Sequence, residues 1–461
     1  MFRPRLFFWV SKAFFKKHKK LIFITGFLGI ALAIFVVKIL PVLPLPRPTE
    51  RIGLIGKYAS DELPLEILQK LSQGLTVVAQ DGSAVESLAS WQINDKATVY
   101  TFRLKDNLFW QDGTEVRAPE IDFGFTDVEQ EILDQKTIRF TLKEPFVPFP
   151  VILSKPLFKK ELLGVGPYKV ASIKEKTGIV ESIKLAGPEK NILYKFYPTL
   201  EIAAKAFKLG EIDVLHEALV NPLPEDWQES LKEEKLLKKN QYVAVFLNND
   251  DEFLKEKAVR QALAYALKKP EGEKRALGPI SPLSWAYSSE VKKYDFDSNK
   301  ARELLGKNKE EAAKIVIKLS TTQPFLTKAE EIEKSWEEAL GIMVEVLVIN
   351  TISDDFQALL MAQEIPADPD QYALWHSTQD QNFIHYKSPK VDKILEDGRK
   401  EADIIRRKEL YADFQKFLLE DCPVIFLYHP EVYTIKRGYI SHFMKENMKL
   451  RIKEPEMRLK R

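Results

Sequence analysis

Residues 315–349 narrow the choice of fold more than any other stretch: IVIKLSTT has the composition of a strand, residues 327–340 of a helix stopped by Gly341, and MVEVLVI of a second strand. A strand, helix and strand at that spacing make a βαβ unit, which belongs to sheets covered by helices. The rhythm recurs elsewhere. Residues 201–209 are expected as a helix closed by Gly210 and followed by the strand IDVLHEAL, while YVAVFLN at 242–248 is apolar almost throughout, as in a strand buried on both faces. After it, KEKAVRQALAYALKK places Ala258, Ala262, Leu263, Ala266 and Leu267 on one helical stripe. NKARELL at 299–305 and RRKELYADFQKFLLED, with Leu410, Phe414, Phe417 and Leu418 facing inward, are further helices, with a break expected near Asp397-Gly398; PVIFLY is a buried strand. The class is α/β, and 461 residues suffice for two or three domains.

One region departs from that rhythm. In YTFRLKDNLFWQDGTEVRAPEIDFGF, residues 100–125, Tyr100, Phe102 and Leu104 alternate with Thr101, Arg103 and Lys105 as in a half-buried strand, and Asp112-Gly113 supplies a turn. Ala118-Pro119-Glu120 then predicts a helix start, because proline fits a first helical turn and a carboxylate there faces unpaired N–H groups. TIRFTL at 137–142 alternates again, and the aromatic and proline run at 145–150 is expected as a packed loop. Residues 76–163 carry enough strands for a small subdomain of their own.

The N-terminus is set apart by charge. Residues 1–20 hold Arg3, Arg5, Lys12, Lys16, Lys17, Lys19 and Lys20 without an acidic residue, and LIFITGFLGIALAIFVV at 21–37 is uncharged. With Ile39 and Leu40 the segment 21–40 has the length expected of a single transmembrane helix, its basic flank cytoplasmic and the globular part outside the cytoplasm. The competing expectation is a cleaved signal peptide. Residues 41–50, PVLPLPRPTE, form a proline-rich linker. Residues 1–51 carry a balance of +9 against +2 for the whole chain, so the remainder is mildly acidic and offers no basic surface for nucleic acid.

Reactive chemistry is sparse. Cys422, the single cysteine, sits in the apolar EDCPVIFLY and is expected as a buried structural thiol; His216 stands alone at a strand end and is expected as a satisfied histidine. GVGPYKV at 164–170 leads into a strand, whereas a phosphate loop leads into a helix. No GxSxG or HExxH pattern occurs, so neither a hydrolase nor a metal centre is expected. The densest polar and aromatic cluster is ADPDQYALWHSTQDQNFIHY, residues 367–386, which contains Asp368, Asp370, Tyr372, Trp375, His376 and Asn382; PISPLSWAYSSE at 279–290 contributes Trp285. Aromatic faces beside carboxylates and amides suit an extended polar ligand.

The segment LASWQINDKATVYTFRLKDNLFWQDGTEVRAPEIDFGF resembles the signature region of the family 5 extracellular solute-binding proteins, the peptide- and nickel-binding receptors of ABC importers. GVGPYKV, AFKLGEIDVL, VFLN with AVRQALAYAL, YDFDSNKARELL and DPDQYALWHS match further along in the same order. The resemblance implies a two-lobed periplasmic-binding-protein-like clamp with mixed sheets: residues 76–163 as a third, smaller subdomain, 51–75, 164–240 and 425–461 as one lobe, and 241–424 as the other. It implies a peptide or similar small solute bound between the lobes, delivery to ABC permease subunits, no cofactor and no bond chemistry. Trp285, Glu364, Asp368, Asp370, Tyr372, Trp375, His376 and Asn382 are the expected ligand-binding residues. Many peptide-binding members carry an aspartate where this chain has Ile365; Glu364 beside it is the expected substitute partner for an ammonium group. A nickel chelate or other solute, and a sensory or scaffolding module on the same fold, are the alternatives.

Overall fold

The computed structural model describes residues 14–34, 47–224, 231–307, 309–351 and 356–438, together with Trp9, Lys12 and Trp227. The chain up to Thr49 forms one compact unit and the chain from Glu50 a second. In the first, the apolar stretch is a helix of 16 residues, Lys19–Ile34. Among the described residues no helix is long and apolar enough to cross a membrane, which overturns the expected transmembrane anchor and the single-pass topology drawn from it. Residues 35–40 of the expected span, 41–46 of the expected linker and 439–461 of the expected first lobe lie outside the described residues.

In the second unit the strands are, in chain order, β1 (Thr49–Ile55), β2 (Thr76–Val78), β3 (Ala84–Glu86), β4 (Ala89–Ile93), β5 (Val99–Leu104), β6 (Val128–Ile132), β7 (Thr137–Leu142), β8 (Lys169–Lys176), β9 (Ile179–Ala186), β10 (Asn191–Tyr197), β11 (Val214–Ala218), β12 (Leu231–Leu237), β13 (Gln241–Leu247), β14 (Val316–Thr321), β15 (Met343–Val348), β16 (Ala358–Glu364), β17 (Val424–Tyr428) and β18 (Glu431–Arg437). They make two large mixed sheets, β12-β18-β11-β1-β10-β9-β8 and β15-β14-β16-β13-β17, with a four-stranded sheet β4-β5-β7-β6 and the hairpin β2-β3. This is a two-lobed mixed α/β architecture, each lobe built on one large sheet.

The apolar run of β13 has its reason in the packing of the five-stranded sheet. Val243, Val245 and Leu247 enter a core with the helices Lys257–Tyr265 and Leu326–Leu340, while Tyr242, Ala244 and Phe246 enter another with the helix Ile404–Asp421. Both faces of the strand are covered, so period-two alternation of polarity is lost. β14 and β15 pair in parallel, Val316 opposite Met343 through Thr321 opposite Val348, across the helix Leu326–Leu340 that ends on Gly341 at φ 73°.

The four-stranded sheet keeps its alternation because it is covered on one face: Tyr100, Phe102 and Leu104 of β5 are buried while Arg103 is exposed. Two local expectations change. Ala118–Glu120 is a single 3-10 turn, not a helix start. Glu120 accepts from Trp110 Nε1 at 2.8 Å, and Gly124 at φ 66° turns the chain so that Phe123 and Phe125 stack on each other and edge onto Phe140. The helix Pro389–Lys400 runs unbroken past Asp397-Gly398. A Cβ at Gly398 would lie 3.1 Å from the Tyr411 ring, so the glycine serves close packing of two helices.

The chain passes between the two large sheets from β12 to β13 and again from β17 to β18, and the passages are bonded to each other. Lys238 N donates to Pro430 O at 2.9 Å, and His429 Nδ1 lies 2.6 Å from Gln241 O. His429 is buried, and that burial lowers its pKa, which favours the neutral ring.

Candidate ligand-binding site

Strand β16 leaves part of one edge open. On one side it pairs with β13 along its whole length, Ala358 opposite Leu247 to Glu364 opposite Gln241. On the other, β14 reaches only from Ala358 to Leu360. β14 then gives way to the 3-10 turn Gln323–Phe325, so among the described residues no strand pairs with this edge at Met361–Glu364. A half-covered edge of this kind presents N–H and C=O groups to an added extended chain.

Glu364 ends that edge. It is exposed and accepts from Gln241 Nε2 at 3.2 Å. Tyr58, in the segment after β1 of the other lobe, is half-buried; burial raises its pKa, and the charges of Glu66, Glu364 and Glu217 raise it further. Glu364 is thus near enough for its charge to act on the Tyr58 hydroxyl. Glu66 accepts from His216 at 2.9 Å, Thr434 Oγ1 holds the other ring nitrogen at 3.2 Å, and Lys238 pairs with Glu217 at 2.5 Å. Burial works against the Glu66 carboxylate, but the His216 contact holds it below the ordinary range. His216 is thus fully engaged within the protein.

The segment after β16 has a different character. Ile365 is buried in the core beneath the sheet. Asp368 forms a fork with Arg407, at 3.1 Å to Nη1 and 2.6 Å to Nη2, and both side chains are nearly inaccessible at 11% and 4% exposure. Asp370 lies 3.1 Å from Arg399, and burial raises its pKa against the pull of that cation. Trp285, half-buried, meets the Tyr411 ring edge-on at 6.2 Å and the Arg407 guanidinium at 5.4 Å. Tyr372 stacks on His376 at 4.2 Å; His376 is buried, with Glu396 3.4 Å from Nε2 and the Thr378 hydroxyl 2.9 Å from Nδ1.

The eight expected residues therefore separate into groups. Asp368, Asp370, Tyr372, His376 and Trp285 gather around Arg407 and Arg399. Trp375 is in the core, its Nε1 donating to Gln371, and Asn382 is buried with its amide spent on the backbone of His376 and Tyr386. Glu364 stands apart from these, toward Tyr58. The organising cations Arg399 and Arg407, and Tyr58 near Glu364, were not among the expected residues; an arginine 39 positions from its aspartate leaves no local pattern. Cys422 is buried, in the left-handed conformation at φ 51°, and burial pushes its thiol up to about 11.

Residues 86–385 match the family model described as bacterial extracellular solute-binding proteins, family 5 middle. The chain is similar to the oligopeptide-binding protein AppA of Bacillus subtilis, 26% identical over 470 positions covering 82% of this chain and 86% of that one. It is also similar to di/tripeptide-binding protein 1 of Pseudomonas aeruginosa, 23% identical with coverage of 77% and 82%. In fold it resembles NikZ from Campylobacter jejuni, solved with Ni(L-His), at a TM-score of 0.71, 24% identity and coverage of 85% and 94%. The structure of Bacillus subtilis AppA with a nonapeptide superimposes at a TM-score of 0.67, 22% identity and coverage of 85% and 95%.

Proposed function

The chain belongs to the family 5 bacterial extracellular solute-binding proteins, and from that premise we propose that it binds a peptide-like solute outside the cytoplasm, between its lobes, and passes it to an ABC import permease. The observation that carries the proposal is the uncovered edge of β16 from Met361, ending on exposed Glu364. An extended peptide satisfies its own N–H and C=O groups on such an edge without reference to its side chains, and Glu364 accepts its ammonium end. Trp285 is the half-buried aromatic surface on the same lobe. The paired passages around His429 and Lys238 are where closure of one lobe on the other would be accommodated. Binding that closes the lobes stabilises the folded chain in proportion to ligand occupancy.

The test is native mass spectrometry of the purified full chain, before and after exposure to a defined mixture of two- to nine-residue peptides, with thermal unfolding alongside. Retained peptide masses and a raised unfolding midpoint are expected. No retained peptide and no shift with any member of the mixture would refute the proposal. Glu364→Gln is expected to weaken binding by about three- to fivefold, the size of an exposed ion pair, and N-terminal acetylation of the peptide should remove that difference.

A further inference from the structure

The seam between the four-stranded sheet and the helix Pro389–Lys400 borders a half-open cavity of about 600 Å³, within the range of small-molecule sites. Its apolar wall includes Phe125, Phe146 and Phe149, and its opposite side Tyr372 and Arg399. The two sides of the seam are tied to each other. Val147 N donates to Arg399 O at 2.8 Å, and Lys400 pairs with Glu144 at 2.7 Å.

Arg399 is the unusual member. Its guanidinium is clamped between two rings, 4.7 Å from the centroid of Phe146 and 4.2 Å from that of Tyr372. Nε lies 3.1 Å from Asp370 Oδ2, yet its N–H is not aimed at that oxygen and makes no hydrogen bond. Among the described residues, neither terminal nitrogen has a hydrogen-bond acceptor. A rigid cationic fork whose end donors are unfilled, held at the wall of a cavity, is pre-organised for a planar anion. The remaining charges limit which anion enters. Asp127, Glu144 and Glu396 also border the cavity and oppose a second negative charge, while Lys143 favours the first.

We propose that this cavity is a second binding site, separate from the β16 edge, for a small monocarboxylate with an apolar or aromatic body. The carboxylate takes the two terminal nitrogens of Arg399 end-on, and the body lies against Phe125, Phe146 and Phe149. No bond is made or broken. The proposal stands independently of peptide binding at β16.

The test uses 3-phenylpropanoate as probe, titrated calorimetrically into the full chain, with 3-phenylpropanamide as the uncharged counterpart. Saturable binding of the acid is expected, with the amide weaker by about tenfold or more, the discrimination of a charge-assisted pair over a neutral one. Arg399→Lys keeps a cation beside Asp370 but loses the fork, and a similar loss of acid affinity is expected; Phe146→Ala should weaken acid and amide alike. Absence of saturable acid binding, or equal affinities for acid and amide, would overturn the proposal. Unchanged acid affinity in Arg399→Lys would do the same, and if that variant fails to fold the acid-to-amide ratio on the parent chain decides.

Discussion

Replacing Asp368 by asparagine keeps the shape of the side chain and removes what is, among the described residues, the only carboxylate that Arg407 holds by hydrogen bonds. The guanidinium would retain Gly398 O at 2.8 Å and the Tyr411 hydroxyl at 3.3 Å, both neutral, and at 4% exposure water cannot take the place of the lost charge. Removing one member of a buried pair costs about 3–5 kcal/mol, since the survivor stays buried without its counter-ion. Asp370 remains close enough to feel Arg407, which favours the lower end of that range. With an unfolding entropy of about 2.1 cal/mol/K per residue over roughly 400 cooperative residues, the midpoint falls by about 4–6 °C. Calorimetry and urea unfolding at pH 7 measure the loss. The double variant Asp368→Leu with Arg407→Met buries no charge and is expected to recover most of it. A loss below about 1 kcal/mol in Asp368→Asn, or a double variant as unstable as the two single changes added together, would refute the account of the pair as a buried, mutually dependent fork.

Two further outcomes follow from particular contacts. Lys269 donates to the carbonyl oxygens of Ala264 and Tyr294, both at 2.6 Å, and burial, aided by the charge of Arg275, lowers its pKa to about 7. The unfolded value is about 10.4. Between the two values the unfolded chain binds the additional proton, so this group makes stability rise with pH from about 7 to 10. Lys269→Met is expected to flatten that rise in urea unfolding at pH 6, 7.5 and 9, and an unchanged slope would reject the assignment. Gly82 sits at φ 87° with the carbonyl oxygen of Ala367 where a Cβ would go, next to the bond from Trp285 N to Asp81 O at 3.2 Å. Gly82→Ala should cost about 1–3 kcal/mol and speed hydrogen exchange at Trp285; protection equal to the parent chain would show that the turn yields without strain.

Much of the architecture is legible along the chain because it follows from short periods. The alternation of Tyr100, Phe102 and Leu104, the apolar run of β13 and the helix ending on Gly341 each state how a segment is covered. The helix expected at Ala118 fails because Glu120 is drawn to Trp110 and the aromatic pair after it packs on Phe140, contacts that propensity does not contain. The expected membrane-spanning helix is not found: among the described residues no helix is long and apolar enough to cross a membrane.

The candidate site was legible as a region and not as a set of side chains. A cluster rich in carboxylates and aromatics at 367–386 looks equally suited to a ligand or to itself, and the difference lies with partners far along the chain. By itself the amino-acid order determined the family, the mixed α/β class and the order of strands and helices, since these depend on neighbours within a turn or two of backbone. Only the tertiary structure decided that Asp368 is spent on Arg407, that Trp375 and Asn382 face inward, and that Glu364 and Arg399 keep unfilled capacity. Burial and pairing between distant residues set the energy of a polar group, and those are properties of the packed chain.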